Sequence, residues 1–208
     1  MPVIAAFGDS NTWGYDPAKA ERFAADVRWT GVMARALGDR FHVIEEGLNG
    51  RTTVHDDPLE PHRNGLKYLE PCLLSHAPLD LIIISLGCND LKHRFGLSPG
   101  DIVLGVERLV LATKASEAGP GGKAPDVIVV APPPLVKLTA FADMFEGGAE
   151  KSRSLGKLYR AMAKLHGAGF VDAGEHIHCS PLDGIHYEAD QHALLGAAMA
   201  KAVKKRLG

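Results

Sequence analysis

The chain alternates between short apolar runs and longer segments in which apolar residues recur every three or four positions. Runs of β-type residues occur at 3–7, 41–45, 79–86, 126–131 and 169–172. Helical periodicity marks segments 26–37, 66–76, 99–117, 149–166 and 189–206. Within the third and fourth runs, residues 81–84 and 127–130 are all apolar, as is typical of parallel strands covered on both faces. The pattern predicts a three-layer α/β sandwich in which helices flank a five-stranded parallel sheet, a doubly wound, flavodoxin-like arrangement.

Three connections are longer than this fold requires, namely residues 12–25, 51–65 and 132–148. Loops of that length within a compact domain usually serve function or form interfaces. All three follow the carboxyl ends of predicted strands, where open α/β sheets bind their ligands. The Gly-rich segment 118–123 lies between a predicted helix and a predicted strand, so we interpret it as a surface loop and expect a single domain over residues 1–208.

Composition narrows the class of protein. The 208 residues carry a net charge of −2, which gives no electrostatic reason to expect nucleic acid. Three widely spaced cysteines, Cys72, Cys88 and Cys179, argue against a disulfide framework and a four-cysteine zinc site, and they suit a reducing cytoplasm. The apolar segment at residues 3–7 has no basic leader and is too short for a signal peptide. No apolar run approaches the roughly 18 residues of a membrane span.

The residues that can support chemistry stand near the two ends of the chain. Ser10 directly follows the first predicted strand, while Asp183 and His186 precede the last predicted helix at a spacing of three residues. A serine hydroxyl is a poor nucleophile unless an imidazole accepts its proton, and a carboxylate must orient that imidazole. The three residue types together predict a hydrolase or acyltransferase with a Ser10-His186-Asp183 triad. Ser10 alone, next to Asp9 and Asn11, is equally consistent with a helix cap.

Two further strand ends carry hydrogen-bond donors. Gly50 follows the second predicted strand, and Asn89 follows the third. Acyl transfer needs two or more donors aimed at the developing oxyanion. The backbone N–H groups of Ser10 and Gly50 and the side-chain amide of Asn89 can supply them. Each glycine-containing segment taken separately is better explained by a turn that requires positive φ.

Taken together and in their order along the chain, these four segments resemble the SGNH hydrolases of the GDSL esterase and lipase superfamily. The matching segments are Gly8-Asp9-Ser10-Asn11, Asn49-Gly50-Arg51-Thr52, Gly87-Cys88-Asn89-Asp90 and Asp183-Gly184-Ile185-His186. The resemblance implies Ser10 as nucleophile, Asp183 and His186 as its triad partners, and an oxyanion hole formed by Ser10, Gly50 and Asn89. It also implies that no cofactor and no metal take part in the reaction.

Additional segments are similar to one subgroup, the small bacterial arylesterases, which has acyltransferase and perhydrolase members. These are residues 7–14, 26–32, 44–48, 51–53, 132–135 and 145–148. The resemblance implies small carboxylic esters as substrates, with transfer to alcohols or peroxide as a side activity. It further implies a homo-oligomer, an octamer among the known forms, in which loops of neighbouring subunits narrow a mostly hydrophobic pocket.

Two alternatives remain open at this stage. Other SGNH proteins are carbohydrate O-acetylesterases, although the 6% aromatic content offers few side chains for stacking on sugars. A non-enzymatic, flavodoxin-like phosphate-binding module shares glycine-rich strand ends, but no phosphate-binding glycine motif follows a strand. The Gly-x-Ser-x-Gly nucleophile elbow is absent, which disfavours the α/β-hydrolase fold.

Several other residues receive weaker expectations. Trp13, three residues after Ser10, and Asn49, beside Gly50, are expected to line the substrate pocket, whereas Trp29 is expected in the core. Asp9 and Asp90 are expected to bind local backbone. A metal at His176, His178 and Cys179 is not expected because this cluster is one ligand short of an ordinary site. The basic end of the last helix, residues 201–206, is assigned to solvation and the helix dipole.

Overall fold

The computed structural model describes all 208 residues and contains one sheet of five parallel strands. The strands are β1 (Val3–Gly8), β2 (His42–Gly47), β3 (Leu81–Ser85), β4 (Asp126–Ala131) and β5 (Gly169–Asp172). Their spatial order is β2-β1-β3-β4-β5. The predicted five-stranded sandwich is therefore confirmed. β1 pairs with β2 on one side and with β3 on the other, so the strand order reverses at β1. That reversal creates the crevice in which doubly wound folds bind ligands.

Seven α-helices complete the fold. They are α1 (Ser10–Trp13), α2 (Trp29–Leu37), α3 (Gly65–Ser75), α4 (Pro99–Ala115), α5 (Gly148–Ser152), α6 (Leu155–Leu165) and α7 (Ala189–Leu207). α2 packs against α7, and α4 packs against both α3 and α6. Right-handed crossovers place these two groups on opposite faces of the sheet.

The helix expected over residues 149–166 is divided into α5 and α6, so that prediction was wrong in its continuity. The Ser152 hydroxyl bonds the carbonyl of Ala149 at 2.8 Å and accepts the N–H of Leu135 at 3.0 Å. A side chain that binds the preceding turn competes with the helical backbone pattern. The division therefore lies where Ser152 also anchors the long loop that follows β4.

The core follows the sheet and both of its faces. Ile82, Ile83 and Ile84 have no exposed surface, as expected for a central strand covered on both sides. Trp29 is buried, which confirms its assignment to the core. All three cysteines are buried and free. None of the helices combines the length and apolar character needed to cross a membrane.

Candidate active site

Ser10 lies at the crevice because the chain turns sharply after β1. Gly8 permits the turn: a Cβ on this residue would lie 2.1 Å from Thr12 Oγ1 and 2.8 Å from the carbonyl oxygen of Ser85. Asp9 then caps α1 by accepting the N–H of Asn11 at 3.0 Å. The cap predicted from the sequence is present, and it holds Ser10 as the first residue of a four-residue helix with its side chain at the cavity.

Ser10, His186 and Asp183 form one chain of hydrogen bonds. The distance from His186 Nε2 to Ser10 Oγ is 2.9 Å, and His186 Nδ1 lies 2.6 Å from Asp183 Oδ2. Both distances are within the range of direct proton transfer. The sequence separation between Ser10 and His186 is 176 residues, so the contact is made by the fold alone. The structure brings together all three residues of the expected triad.

The turn that carries Asp183 and His186 fixes their relative orientation. Asp183 Oδ1 accepts the backbone N–H groups of Ile185 at 2.8 Å and His186 at 2.9 Å. Burial alone would raise the pKa of Asp183, but these bonds and the imidazole hold it below its usual value. Gly184 has φ +86°, and a Cβ there would lie 2.7 Å from the carbonyl oxygen of Lys137. Because its pKa is lowered, the Asp183 carboxylate stays ionised beside the imidazole.

The expected oxyanion donors border the same cavity. Gly50 adopts φ +77°, and its N–H has no acceptor within the chain. Asn89 begins a 3₁₀ turn directly after β3, and its Nδ2 donates to the carbonyl of Arg51 at 3.2 Å. The Ser10 N–H stands in the first turn of α1, where no intrahelical acceptor exists. All three residues thus line the cavity beside Ser10 Oγ.

Arg51 supports the turn that carries Gly50. Its Nη1 donates to the carbonyl of Gly8 at 2.9 Å and to that of Glu46. Its guanidinium lies 4.1 Å from the centroid of the Phe7 ring. The ends of β1 and β2 are therefore tied together by one buried cation. The sequence marked Arg51 only as part of a family segment, whereas the structure shows which backbone groups it holds.

The cavity beside Ser10 has a volume of about 170 Å³ and opens to solvent. Its lining divides into an apolar part and a polar part. The apolar part is formed by Tyr15, Phe141, Met144, Phe145 and Ile185, and the polar part by Ser10, Asn49, Gly50, Glu60, Asn89, Lys92 and His186. Each of the three long connections predicted to be functional contributes to this lining. Asn49 lies where it was expected.

Trp13 does not line this cavity, contrary to expectation. The Trp13 backbone packs against Gly47, and Arg22 covers its ring at 5.1 Å from the centroid. Tyr15 lines the cavity instead, with its ring centroid 4.3 Å from that of His186. The short α1 ends at Gly14, and this left-handed residue turns the following side chain toward the triad. No pattern in the sequence indicates that reversal.

A buried ion network forms the polar part of the wall. Lys92 Nζ lies 2.8 Å from Glu60 Oε1 and 3.4 Å from Asp57 Oδ2. Arg94 Nη2 lies 2.9 Å from the same Glu60 oxygen and 2.8 Å from the same Asp57 oxygen. The side chains of Asp57 and Lys92 are 0% and 3% exposed. This network joins the loop after β2 to the segment after Asn89, and sequence reasoning missed it because its members are far apart along the chain.

Two further carboxylates hold the surrounding loops. Asp90 accepts the Thr53 N–H at 3.0 Å and the Thr53 hydroxyl at 2.5 Å, just as Asp9 accepts a backbone N–H in the cap of α1. The expected binding of local backbone is confirmed for Asp9, whereas Asp90 binds Thr53, which lies 37 positions away along the chain. Burial raises the pKa of Asp9 to about 6, and burial likewise raises the pKa of Asp90.

The cluster His176, His178 and Cys179 does not converge. Cys179 is buried, whereas both histidine side chains are exposed. Alternation along an extended segment turns neighbouring side chains to opposite sides. These three residues therefore form no common coordination site.

Residues 6–194 match the GDSL-like lipase/acylhydrolase family. The chain belongs to this family. The SGNH resemblance inferred from the four motifs is thereby confirmed, and the enzyme class is ester hydrolase. The alternative of a non-enzymatic, flavodoxin-like phosphate-binding module is therefore wrong, because the chain belongs to a hydrolase family although its sheet is flavodoxin-like.

Solved structures agree with the family over the full length of the chain. The aryl esterase of M. smegmatis is 47% identical, with a TM-score of 0.95 and complete coverage of both chains. Est24, a carbohydrate acetylesterase from Sinorhizobium meliloti, is 44% identical, with a TM-score of 0.96 and complete coverage of both chains. No curated protein sequence matches the chain. The GDSL-like enzyme described here is thus similar to esterases of two substrate classes.

Proposed function

We propose that this protein is a serine esterase of the arylesterase type that hydrolyses small carboxylic esters through an acyl-enzyme. The observation that carries the proposal is the continuous hydrogen-bond chain from Ser10 Oγ through His186 to Asp183. In this mechanism His186 Nε2 accepts the Ser10 proton while Oγ attacks the ester carbonyl carbon. Asp183 holds the imidazole orientation and stabilises the imidazolium that forms.

The tetrahedral intermediate places negative charge on the former carbonyl oxygen. The N–H groups of Ser10 and Gly50 and the amide of Asn89 stabilise that oxyanion. His186 then returns its proton to the leaving alcohol oxygen, the C–O bond breaks, and the acyl group remains on Ser10. Water deprotonated by His186 attacks the acyl carbon, and the second intermediate collapses to the carboxylic acid and free Ser10.

The size and lining of the cavity support small, partly apolar substrates. A volume of about 170 Å³ suits a short acyl group, and Tyr15 and Phe141 line the cavity beside the His186 imidazole. An aromatic leaving group can pack on these two rings. The five apolar lining side chains also favour organic acceptors over water, which supports acyl transfer to alcohols or peroxide as a side activity.

Mass spectrometry of the acyl-enzyme tests the proposal. The protein is mixed with p-nitrophenyl acetate, quenched with acid and digested. We expect one acetyl group on the peptide that contains Ser10, both in the natural chain and in the control variant Ser75→Ala, which changes an exposed serine. A phenol burst without acetylated Ser10, or an acetyl group confined to another residue, would reject the mechanism.

A carbohydrate O-acetylesterase is the second candidate, and the polar wall favours it. Three polar groups line this wall and can bind sugar hydroxyls, namely the amide of Asn49, the carboxylate of Glu60 and the ammonium of Lys92. The similar protein Est24 is described as a carbohydrate acetylesterase. Comparing kcat/KM for acetylated sugars and phenyl acetate separates the two candidates. A clear preference for the acetylated sugar would replace the arylesterase proposal.

The homo-oligomer and the cytoplasmic location stay predictions. Leu59 and Leu182, 72% and 50% exposed, lie next to the cavity residue Glu60 and the triad residue Asp183. Exposed apolar side chains near the cavity, such as these two leucines, are suited to burial between subunits.

A further inference from the structure

A second cluster of reactive side chains lies away from the ester cavity, between α3 and the edge strand β2. Tyr68, Cys72 and His76 follow one another at intervals of four residues, so they occupy one face of α3 and its C-terminal cap. Glu46, from β2, faces them: His76 Nε2 lies 2.7 Å from Glu46 Oε1. The oxygen, nitrogen and sulfur donor atoms of Glu46, His76 and Cys72 all lie within 4.8 Å of one another.

This donor set suits a borderline-soft divalent cation. Zinc binds thiolate, imidazole and carboxylate at about 2.0 to 2.3 Å, which places tetrahedral donors roughly 3.5 Å apart. The donor atoms of Glu46, Cys72 and His76 therefore need to approach by only about an ångström. Cys72 is fully covered, whereas Glu46 and His76 are partly exposed, so an ion can enter from their side.

The charges around the cluster also suit a dication. In the metal-free protein, burial and the charge of Glu46 together raise the pKa of Cys72 to about 12, while Arg51 opposes the shift. A thiolate and a carboxylate together neutralise a divalent ion. The single positive charge of Arg51, whose guanidinium lies 5.3 Å from the Tyr68 ring centroid, then faces an uncharged site rather than a bare cation.

A solvent route reaches the cluster. A cavity of about 580 Å³ lies beside it, lined in part by Glu46, Tyr68 and Lys67. This cavity provides room for an ion to arrive and for water to occupy the fourth coordination position. None of Glu46, Cys72 and His76 lines the ester cavity, so the cluster is separate from the triad.

We propose that Glu46, Cys72 and His76 form a binding site for a divalent transition-metal ion of the zinc class, with water as the fourth ligand. Binding releases the thiol proton of Cys72 to solvent. In the metal-free protein His76 Nε2 donates a hydrogen bond to the Glu46 carboxylate, so its proton must leave Nε2, and through exchange with solvent the neutral ring carries its proton on Nδ1 once the ion is bound. The hydrogen bond between Glu46 and His76 is exchanged for two bonds to the ion. The bound ion ties β2 to α3 and stabilises the folded chain.

A second histidine–glutamate pair, His166 and Glu107, resembles the pair of His76 and Glu46 but includes no thiol. His166 Nε2 lies 2.5 Å from Glu107 Oε1, and both side chains have exposures similar to those of His76 and Glu46. Substitution of His166 therefore controls for loss of a histidine that bonds glutamate. Cys179→Ala controls for loss of another buried thiol.

Titration with Co²⁺ of metal-free full-length protein tests the site, because thiolate-to-cobalt charge transfer absorbs in the near ultraviolet. We expect one equivalent with this absorption and a rise in Tm, with Zn²⁺ displacing Co²⁺. Cys72→Ala should abolish the absorption, and His76→Gln should weaken binding about 100-fold. His166→Gln and Cys179→Ala should leave binding unchanged.

Absence of thiolate absorption would overturn the proposal, as would absorption that persists in Cys72→Ala or disappears in Cys179→Ala. Circular dichroism verifies that each variant folds. If Cys72→Ala does not fold, His76→Gln decides, because His76 is a partly exposed residue at the end of α3. Esterase activity is not a readout here, so the outcome is independent of the proposed function.

Discussion

The Tyr15 ring packs against the imidazole of His186, with centroids 4.3 Å apart and ring planes inclined by 35°. Phe141 approaches the same imidazole edge-on at 6.1 Å. In the proposed mechanism His186 becomes positively charged in the transition state. An aromatic face stabilises a cation by about 0.5 to 2 kcal/mol. In that mechanism the wall of the cavity would stabilise charge as well as shape the space.

Replacing Tyr15 tests that role. Tyr15→Leu should lower kcat by roughly 2- to 30-fold, the equivalent of the cation–π stabilisation of the imidazolium. Tyr15→Phe keeps the aromatic face and should retain nearly the full kcat. Steady-state kinetics with phenyl acetate measures both. Equal losses in the two variants would assign the effect to the phenol hydroxyl instead.

Removing the side-chain oxyanion donor should affect the chemical step. Asn89→Ala is expected to lower kcat about 100- to 1000-fold, because one donor to the developing oxyanion disappears. Asn49→Ala serves as the comparison, since Asn49 lines the same cavity without an assigned oxyanion contact. It should change KM more than kcat. Unchanged kcat in folded Asn89→Ala would remove Asn89 from the oxyanion hole.

The buried ion network should be sensitive to loss of one partner. Asp57→Asn leaves Lys92 with Glu60 alone in a buried setting and should reduce the free energy of unfolding by about 3 kcal/mol. Asp56 provides the control, because its 2.7 Å pair with Lys67 is exposed on both sides. Asp56→Asn should change stability far less, because solvent screens an exposed pair. Urea unfolding measures the difference, and similar values for the two variants would contradict this view of the network.

Acid should destabilise the fold through His192. Burial lowers the pKa of His192 to about 4, and its Nδ1 accepts the Trp29 N–H at 3.2 Å. The unfolded chain, with an ordinary histidine pKa near ~6.5, therefore binds more protons between these two values. The stabilisation by neutral His192 is complete above pH ~6.5 and is lost as pH falls toward ~4. The free energy of unfolding should decrease by on the order of 3 kcal/mol over this range.

Comparison with His192→Gln isolates this contribution, because glutamine can accept the same N–H without titrating. Asp9 contributes the opposite trend, since burial raises its pKa to about 6 and the folded chain retains its proton. Unfolding free energies of both proteins should be measured from pH 4 to pH 7. The difference between them should shrink as pH falls. A difference that does not vary with pH would contradict a neutral, buried His192.

The sequence predicted the parts of the site that strand ends control. Parallel pairing of β1 with β2 and β3 brings the segments after Gly8, Gly47 and Ser85 to one edge, so Ser10, Gly50 and Asn89 had to be neighbours. The two β-type runs at 126–131 and 169–172 matched β4 and β5 to the residue. Local polarity and strand periodicity were sufficient for these features.

Features set by loop conformation were not predictable. Tyr15, rather than Trp13, reaches the cavity because Gly14 reverses the chain after a helix too short to show periodicity. Lys92 meets Asp57 across 35 positions, and Glu46 meets His76 across 30, with no motif that links them. Such contacts depend on how loops and edge strands pack, which the pattern of single residues does not encode.

The central claim, that Ser10 is the nucleophile activated by His186, is tested most directly by the turnover of Ser10→Ala. With phenyl acetate as substrate, and with folding verified by circular dichroism, kcat should fall by roughly a factor of 10⁶. A variant that keeps most of the activity of the natural chain would contradict the account.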